Sequence, residues 1–211
     1  AGALAFFIDK INCPIYASGF ASSLIKRRLK EFGKLNSVNI NIINSKKILK
    51  FNNFELKFIS TTHSIPEPYS IVILTKYGKL LHTADWKIDN DPQIGENFDQ
   101  QSFEELGNEG LLALIGDSTN ADSIGDSKSE SEVREELNKI FSRYDKRIVT
   151  TCFSSNIARI ESIAKAAQNN NRKVTLIGQS MKRTIEAALD NGYLHDIKNF
   201  ISDEEASYIS R

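Results

Sequence analysis

Apolar and polar positions along the chain follow two patterns, and the change from one to the other locates the strands. Phe54-Glu55-Leu56-Lys57-Phe58-Ile59 alternates, as a half-buried strand does. Ile71 to Leu74 and Lys79 to Leu81 form denser apolar runs, which predict two buried strands joined by a turn at Tyr77-Gly78. Gly110-Leu111-Leu112-Ala113-Leu114-Ile115-Gly116 has the same character and predicts a fully buried strand after a short helix over Ser102 to Leu106. Earlier in the chain, Pro14 to Ala17 reads as a short strand and Ser18 as a cap. The helix that follows carries Phe20, Leu24, Ile25, Leu29 and Phe32 on one face. Val38 to Ile43 and Ile48 to Ile59 supply further strands, turning at Asn52-Asn53.

Between Ser123 and Ser131 the composition shifts to Ser, Gly, Asp and Lys, which places a boundary between a portion 1–125 and a portion 126–211. Ser129 with Glu132 fits a capping box, and Val133, Leu137, Ile140 and Phe141 follow at helical spacing. Strand Arg147 to Cys152, helix Asn156 to Gln168, strand Lys173 to Ile177 and helix Met181 to Asn191 then alternate. Such alternation predicts an α/β unit with a parallel sheet.

Composition narrows the picture less than the pattern does. Lys+Arg 27 balance Asp+Glu 27 over 211 residues, so nucleic-acid binding has to rest on local patches and oriented backbone groups. Lys26, Arg27, Arg28 and Lys30 are one such patch, read either as a solvated helix face or as an RNA contact. Cys13 and Cys152 lie far apart in apolar segments, which suggests reduced thiols packed in a core and a cytoplasmic setting. No stretch is apolar enough to span a membrane. The apolar start at Ala1 to Ile8 lacks the basic leader of a signal peptide and reads as the inside of a longer sequence.

The chemistry collects where strands stop. Phe54 to Ile59 runs into Thr61-Thr62-His63-Ser64-Ile65-Pro66, Lys79 to Leu81 into His82-Thr83-Ala84-Asp85-Trp86, and Gly110 to Gly116 into Asp117-Ser118-Thr119. An imidazole and a carboxylate at neighbouring strand ends are what a hydrolytic zinc site uses, but a structural histidine and a turn-forming aspartate have the same spacing. In the second portion, Phe153-Ser154-Ser155-Asn156 and Gly178-Gln179-Ser180 each link a strand to a helix, so they should lie side by side. Hydroxyls and helix N-termini there suit a phosphate, while Ser155 and Ser180 can equally be plain N-caps.

T-H-S-I-P at Thr62, H-T-A-D-W-K-I-D at His82, G-D-S-T-N-A-D at Gly116, F-S-S-N at Phe153, G-Q-S-M at Gly178 and N-G-Y-L at Asn191 occur in that order. This series resembles the metallo-β-lactamase-fold nucleases of the β-CASP group, and within them the ribonuclease J family, over nearly the whole chain. The resemblance implies part of a metallo-β-lactamase αβ/βα sandwich followed by part of an inserted parallel α/β β-CASP domain. It implies His63 as a zinc ligand, Asp85 as the carboxylate bridging two zinc ions, and Asp117 as an acidic residue that orients histidines lying outside this chain. Ser154, Ser155, Asn156, Gly178 and Ser180 would line a pocket for an RNA nucleotide or its 5′ phosphate, with Arg159 as a helper. RNA as substrate and a homo-oligomeric enzyme in the cytoplasm are implied in the same way.

The chain departs from the family pattern in three ways. The H-x-H-x-D-H motif that supplies most metal ligands is absent, which predicts an internal fragment, inactive alone. Gln179 stands where arginine is expected, removing a bidentate phosphate donor. Ala84 and Trp86 replace the more usual glycine and phenylalanine. His82 is expected to brace the Asp85 turn, and His195 to be exposed. A small-ester hydrolase of the same fold and a non-catalytic RNA-binding homologue are the rival readings.

Overall fold

The computed structural model describes residues 2–11 and 13–209. A first helix, α1 (Leu4–Phe7), leads to strand β1 (Ile15–Ala17), helix α2 (Gly19–Glu31) and strand β2 (Ile40–Ile42). β1 and β2 pair in parallel with Ile15 opposite Ile40, so α2 is the crossover of a β-α-β unit. The Ser18 hydroxyl caps α2 by accepting from the Ala21 amide at 3.4 Å. The apolar face works in two directions: Ile25 and Leu29 pack with Ala5, Ile8 and Ala17, whereas Phe20 and Leu24 join another core.

Five strands form the main sheet: β3 (Ile48–Lys50), β4 (Phe54–Ser60), β5 (Tyr69–Thr75), β6 (Gly78–His82) and β7 (Ala113–Ile115), in that spatial order. The first four run as an antiparallel meander, with Leu56 opposite Ile73 and Ile73 opposite Leu80. After helix α3 (Gln100–Glu109), β7 adds in parallel to β6, with Leu81 opposite Leu114. Strands β4, β6 and β7 therefore point the same way, and the chain leaves all three at one edge. The Asn52-Asn53 turn and the Lys76-Tyr77 hairpin loop lie as the pattern predicts, within a residue.

The second portion holds helix α4 (Glu130–Ser142), helix α5 (Ile157–Asn169), strand β8 (Val174–Thr175), helix α6 (Gln179–Asp190), strand β9 (Phe200–Ile201) and helix α7 (Asp203–Tyr208). The Ser129–Glu132 capping box starts α4 as predicted. β8 and β9 pair in parallel, Val174 opposite Phe200. The largest buried cluster gathers Ile157, Ile160 and Ala164 of α5, Ile185, Ala187 and Ala188 of α6, and Leu194 and Ile197 around Phe20 of α2. Leu24, Ile65 and Ile94 pack against the same cluster, so this core contains residues from both sides of position 125. Burying a side chain the size of Phe20 is worth about 1.5–3 kcal/mol, which makes that contact a substantial joint.

Three expectations are corrected. β7 is not buried: Leu114 is 61% exposed and Ile115 48%, and of the apolar run before it Leu111 packs against Leu81 and Leu106 whereas Leu112 is exposed. An apolar run becomes a buried strand only when layers cover both faces, and among the described residues β7 has β6 on one side and no such cover. Arg147 to Cys152 carries no strand pairing among the described residues, and Val149 is 84% exposed; the parallel sheet described in this portion is the short β8–β9 pair. Cys13 is exposed rather than packed in a core, while Cys152 is half-buried against the large cluster. No described helix is long and apolar enough to cross a membrane.

Candidate active site

The three loops that leave the common edge of the sheet are stitched to one another. Thr62 pairs with Lys87 as an antiparallel bridge: the Lys87 amide donates to the Thr62 carbonyl at 2.9 Å and the Thr62 hydroxyl donates to the Lys87 carbonyl at 2.6 Å. The same hydroxyl accepts from the Asp89 amide at 3.0 Å. Thr83 makes the matching link to the third loop, its hydroxyl accepting from the Asp117 amide at 3.0 Å and donating to the Ala84 carbonyl at 2.9 Å. Thr62 and Thr83 are both buried, so these bonds form away from competing water.

His63, Asp85 and Asp117 thus leave one edge as the strand directions require. The Asp117 carboxylate accepts from the Thr119 hydroxyl at 2.6 Å and the Thr119 amide at 2.9 Å. Those two bonds, with the nearby His63 charge and the Trp86 amide adding less, hold its carboxyl below the usual range. His63 is half-buried, its Nδ1 lying 3.2 Å from the Ser64 hydroxyl. Asp85 is exposed. Behind it Trp86 stacks on Phe103 at 5.6 Å and contacts Phe98 at 6.0 Å. His82 braces the turn as expected, its Nδ1 accepting from the Ala84 amide at 3.0 Å. Ala84 itself has φ 55°, the left-handed region where glycine is at ease.

A cleft of about 160 Å³ lined by His63, Ser64, Lys87, Glu130, Asn156 and Arg159 brings the start of α5 against the His63 loop. Ser154 and Ser180 come together, their hydroxyl oxygens 3.0 Å apart, so the two strand-to-helix linkers do lie side by side. Neither Ser155 nor Ser180 is an N-cap. Asn156 caps α5, accepting from the Arg159 amide at 2.9 Å, and Ser155 is exposed. Gly178 precedes α6 with φ 117° and ψ 129°, and no side chain caps that helix. The first amides of α6 therefore remain available beside the serine pair, the arrangement that favours an anion.

Three residues that sequence reasoning passed over support the site. Asp89, its side chain 1% exposed, accepts from the Ser129 hydroxyl at 2.6 Å, Lys87 Nζ at 2.9 Å, and the amides of Glu130 and Asp91 at 3.1 Å each. Burial alone would raise its pKa, but those donors prevail and lower it to about 2. Glu130 takes both Arg159 Nε at 2.9 Å and Nη2 at 3.3 Å, so Arg159 is engaged with a carboxylate and does not stand free for a phosphate. Glu67 is the third. The available signal was position: Glu67 follows His63, and Asp89 follows Asp85, by four residues.

A second groove, about 350 Å³, runs between α2 and α6 past Ser180. Its guanidiniums are paired: Arg27 with Asp190 at 2.5 Å, Arg28 with Glu31 at 2.9 Å, and Arg183 also with Glu31. Of the basic patch on α2, only Lys26 and Lys30 are exposed. His195 is exposed, as expected. As to zinc, His63 and Asp85 are suitable donors, yet the described residues contain no group of three or more His, Cys, Asp or Glu able to hold a metal ion. A hydrolytic zinc uses three protein donors, of which His63 and Asp85 would be two.

Residues 145–211 match the family described as ribonuclease J, beta-CASP domain. Over 211 residues, all of this chain and 37% of the relative, the sequence is 40% identical to ribonuclease J of Sinorhizobium meliloti. It is 39% identical over 193 residues to ribonuclease J 1 of Streptococcus pyogenes serotype M3, covering 92% of this chain and 34% of that protein. Ribonuclease J2 of Bacillus subtilis is 30% identical over 205 residues, 97% of this chain and 37% of that protein. The chain thus spans little more than a third of these relatives. A crystal structure of a protein of unknown function from Enterococcus faecalis V583 superposes with TM-score 0.62 at 12% identity, over 94% of this chain and 52% of that one, a likeness of fold alone.

Proposed function

We propose, for a chain that resembles ribonuclease J along its whole length, that it is an internal part of a metal-dependent ribonuclease that hydrolyses RNA phosphodiester bonds in the cytoplasm. Residues 1–125 are then the metallo-β-lactamase portion and 126–211 the first part of the β-CASP domain. The observation that carries the reading is that the His63 loop and the start of α5 line one cleft. His63 leaves the same sheet edge as Asp85 and Asp117, and just ahead of α5 Ser154 meets Ser180 beside an uncapped helix start.

In this reading His63 and Asp85 would be zinc ligands, with the remaining ligands supplied from outside this chain. Zinc, when bound, activates water for attack on phosphorus. Asp117, held ionised by Thr119, orients histidines that also lie outside the chain. Ser154, Ser180 and the first amides of α6, with Gly178 giving the backbone room, receive an RNA phosphate; Asn156 contributes as the cap that aims α5, and Ser155 lies at the rim. Exonucleolytic 5′-to-3′ cleavage, endonucleolytic cleavage, or both are open to such a site, and the working enzyme is a homo-oligomer.

The test compares the longer protein carrying this sequence with the 211-residue chain. With zinc and 5′-phosphorylated RNA, the longer protein should cleave, His63→Ala and Asp85→Ala should abolish turnover, and the chain alone should be inactive. Metal-dependent cleavage by the chain alone would refute its dependence on outside ligands. Faster turnover of a small ester than of RNA would favour another hydrolase of the fold, and RNA binding without metal or turnover a non-catalytic homologue.

A further inference from the structure

One short segment joins the His63 loop to the start of α5. Directly after His63, the Ser64 carbonyl accepts from the Ala158 amide at 3.1 Å, in the first turn of α5 and just past Ser154-Ser155-Asn156. Ile65 packs into the large core, and Pro66 is fully buried. Glu67 then turns the chain with φ 60°, a left-handed conformation that costs a non-glycine residue roughly 1–2 kcal/mol. Its carboxylate has two partners. Oε2 accepts from the Phe20 amide in the first turn of α2 at 2.8 Å, and Oε1 accepts from the Tyr193 hydroxyl, just beyond α6, at 3.1 Å.

The approach is close-fitting. A Cβ placed on Gly19 would lie 2.7 Å from Asn191 Oδ1 and 3.4 Å from Glu67 Oε1, so only glycine lets α2, the Glu67 turn and the end of α6 meet without displacement. One carboxylate therefore ties the loop that begins at His63 to the start of α2 and to the far end of α6, the helix whose start carries Ser180. Such a strained, multiply held residue outside the cleft is where a fold stores geometry rather than chemistry.

Resting on the ribonuclease reading above, we propose that Glu67 is a positioning residue that fixes the separation between His63 and the Ser154–Ser180 pair, and so sets where RNA is cut relative to a phosphate held at the serines. An RNA anchored at one point and hydrolysed at another is cut at a defined register only while the two points keep their distance. Loosening the Glu67 tie blurs that register without removing a group that touches RNA.

The experiment uses the longer ribonuclease carrying this sequence and 5′-phosphorylated RNA, read as product length, kcat and KM. Glu67→Gln keeps the shape and removes the charge that strengthens both hydrogen bonds. Its kcat should fall roughly 10- to 100-fold, the scale of a misplacement near 1 Å, with KM little changed and product lengths broadened. Tyr193→Phe, which deletes one donor, should act in the same direction more weakly. Independently of turnover, hydrogen exchange at the Phe20 and Ala158 amides should quicken in Glu67→Gln. Unaltered product lengths and kcat in a folded Glu67→Gln protein overturn the inference; if that variant does not fold, the product lengths of Tyr193→Phe decide it. A wild-type protein that leaves RNA intact overturns the ribonuclease reading and this inference with it, whereas wild-type cleavage with unaltered variants overturns the inference alone.

Discussion

The sheet edge that carries His63 and the strand-to-helix edge that carries Ser154 are built by opposite means. On the His63, Asp85 and Asp117 side, buried threonines and the buried Asp89 carboxylate lock the loops to one another, and the side chains with chemistry project from a frame already satisfied. On the Ser154 and Ser180 side, β8 is only two residues long, Phe153 and Ile177 are more than four-fifths exposed, and the two serines touch each other. The difference fits the roles proposed for the two edges. A metal donor must be held to within a fraction of an ångström, which demands a supported loop; an anion held by amides needs unobstructed backbone. The backbone repeats the contrast: a left-handed turn is made by Ala84 on the first edge, whereas Gly178 on the second adopts a conformation that suits glycine alone.

The sharpest way to break this comparison is to remove Asp89. Asp89→Ala would leave Lys87 Nζ, the Ser129 hydroxyl and two amides without their buried acceptor, a loss on the order of 3–5 kcal/mol. Urea denaturation should show that loss at neutral pH. The sign with pH is set by the lowered pKa: a carboxyl moved from the ordinary 3.8 to about 2 stabilises the fold fully above 3.8, and its contribution disappears as pH falls through about 2. Roughly 2 kcal/mol of wild-type stability should therefore vanish over that window and be missing from Asp89→Asn throughout. Equal acid sensitivity in the two proteins would show that Asp89 does not brace the loops.

Much of the first edge was readable from the chain, because alternation and apolar runs end at His63, Asp85 and Asp117, and β4, β6 and β7 do point one way. The hairpins, the Ser18 cap and the Ser129 capping box were readable for the same local reason. Glu67 and Asp89 were not. Each looks like a surface charge in a turn, and each reaches a helix start more than forty residues away in sequence, which no local pattern encodes. The length of β7 misled in another way: apolar content reports what could be covered, and coverage depends on layers elsewhere. Asn156 rather than Ser155 caps α5 because the helix begins one residue later than the serine pair suggests.

On the second edge, Gly178→Ala should cost about 1–3 kcal/mol, since φ 117° with ψ 129° lies where a Cβ collides with its own backbone. No neighbouring atom lies within 4 Å of that Cβ, so the penalty is conformational and not a packing clash. Thermal denaturation gives the magnitude. Phosphate affinity in the longer protein should fall as well, because relaxing the strain turns the first amides of α6 away from the serine pair. Full stability in Gly178→Ala would mean that the second edge tolerates substitution as the first does.

The smallest effect has the opposite sign and tests the first edge. Ala84→Gly removes a left-handed alanine, a gain of about 1–2 kcal/mol, but also frees the unfolded chain, a loss of about 0.4–1 kcal/mol. The net should be a stabilisation of roughly 0.5 kcal/mol, visible as a small rise in Tm. The Ala84 amide still donates to His82 Nδ1 when the side chain is hydrogen, so the turn itself has no reason to change. If the variant instead loses stability, the frame around Asp85 depends on the stiffness that alanine gives the turn. The contrast between the edges would then lie in rigidity held at a cost, in place of a turn that merely lacks its best residue.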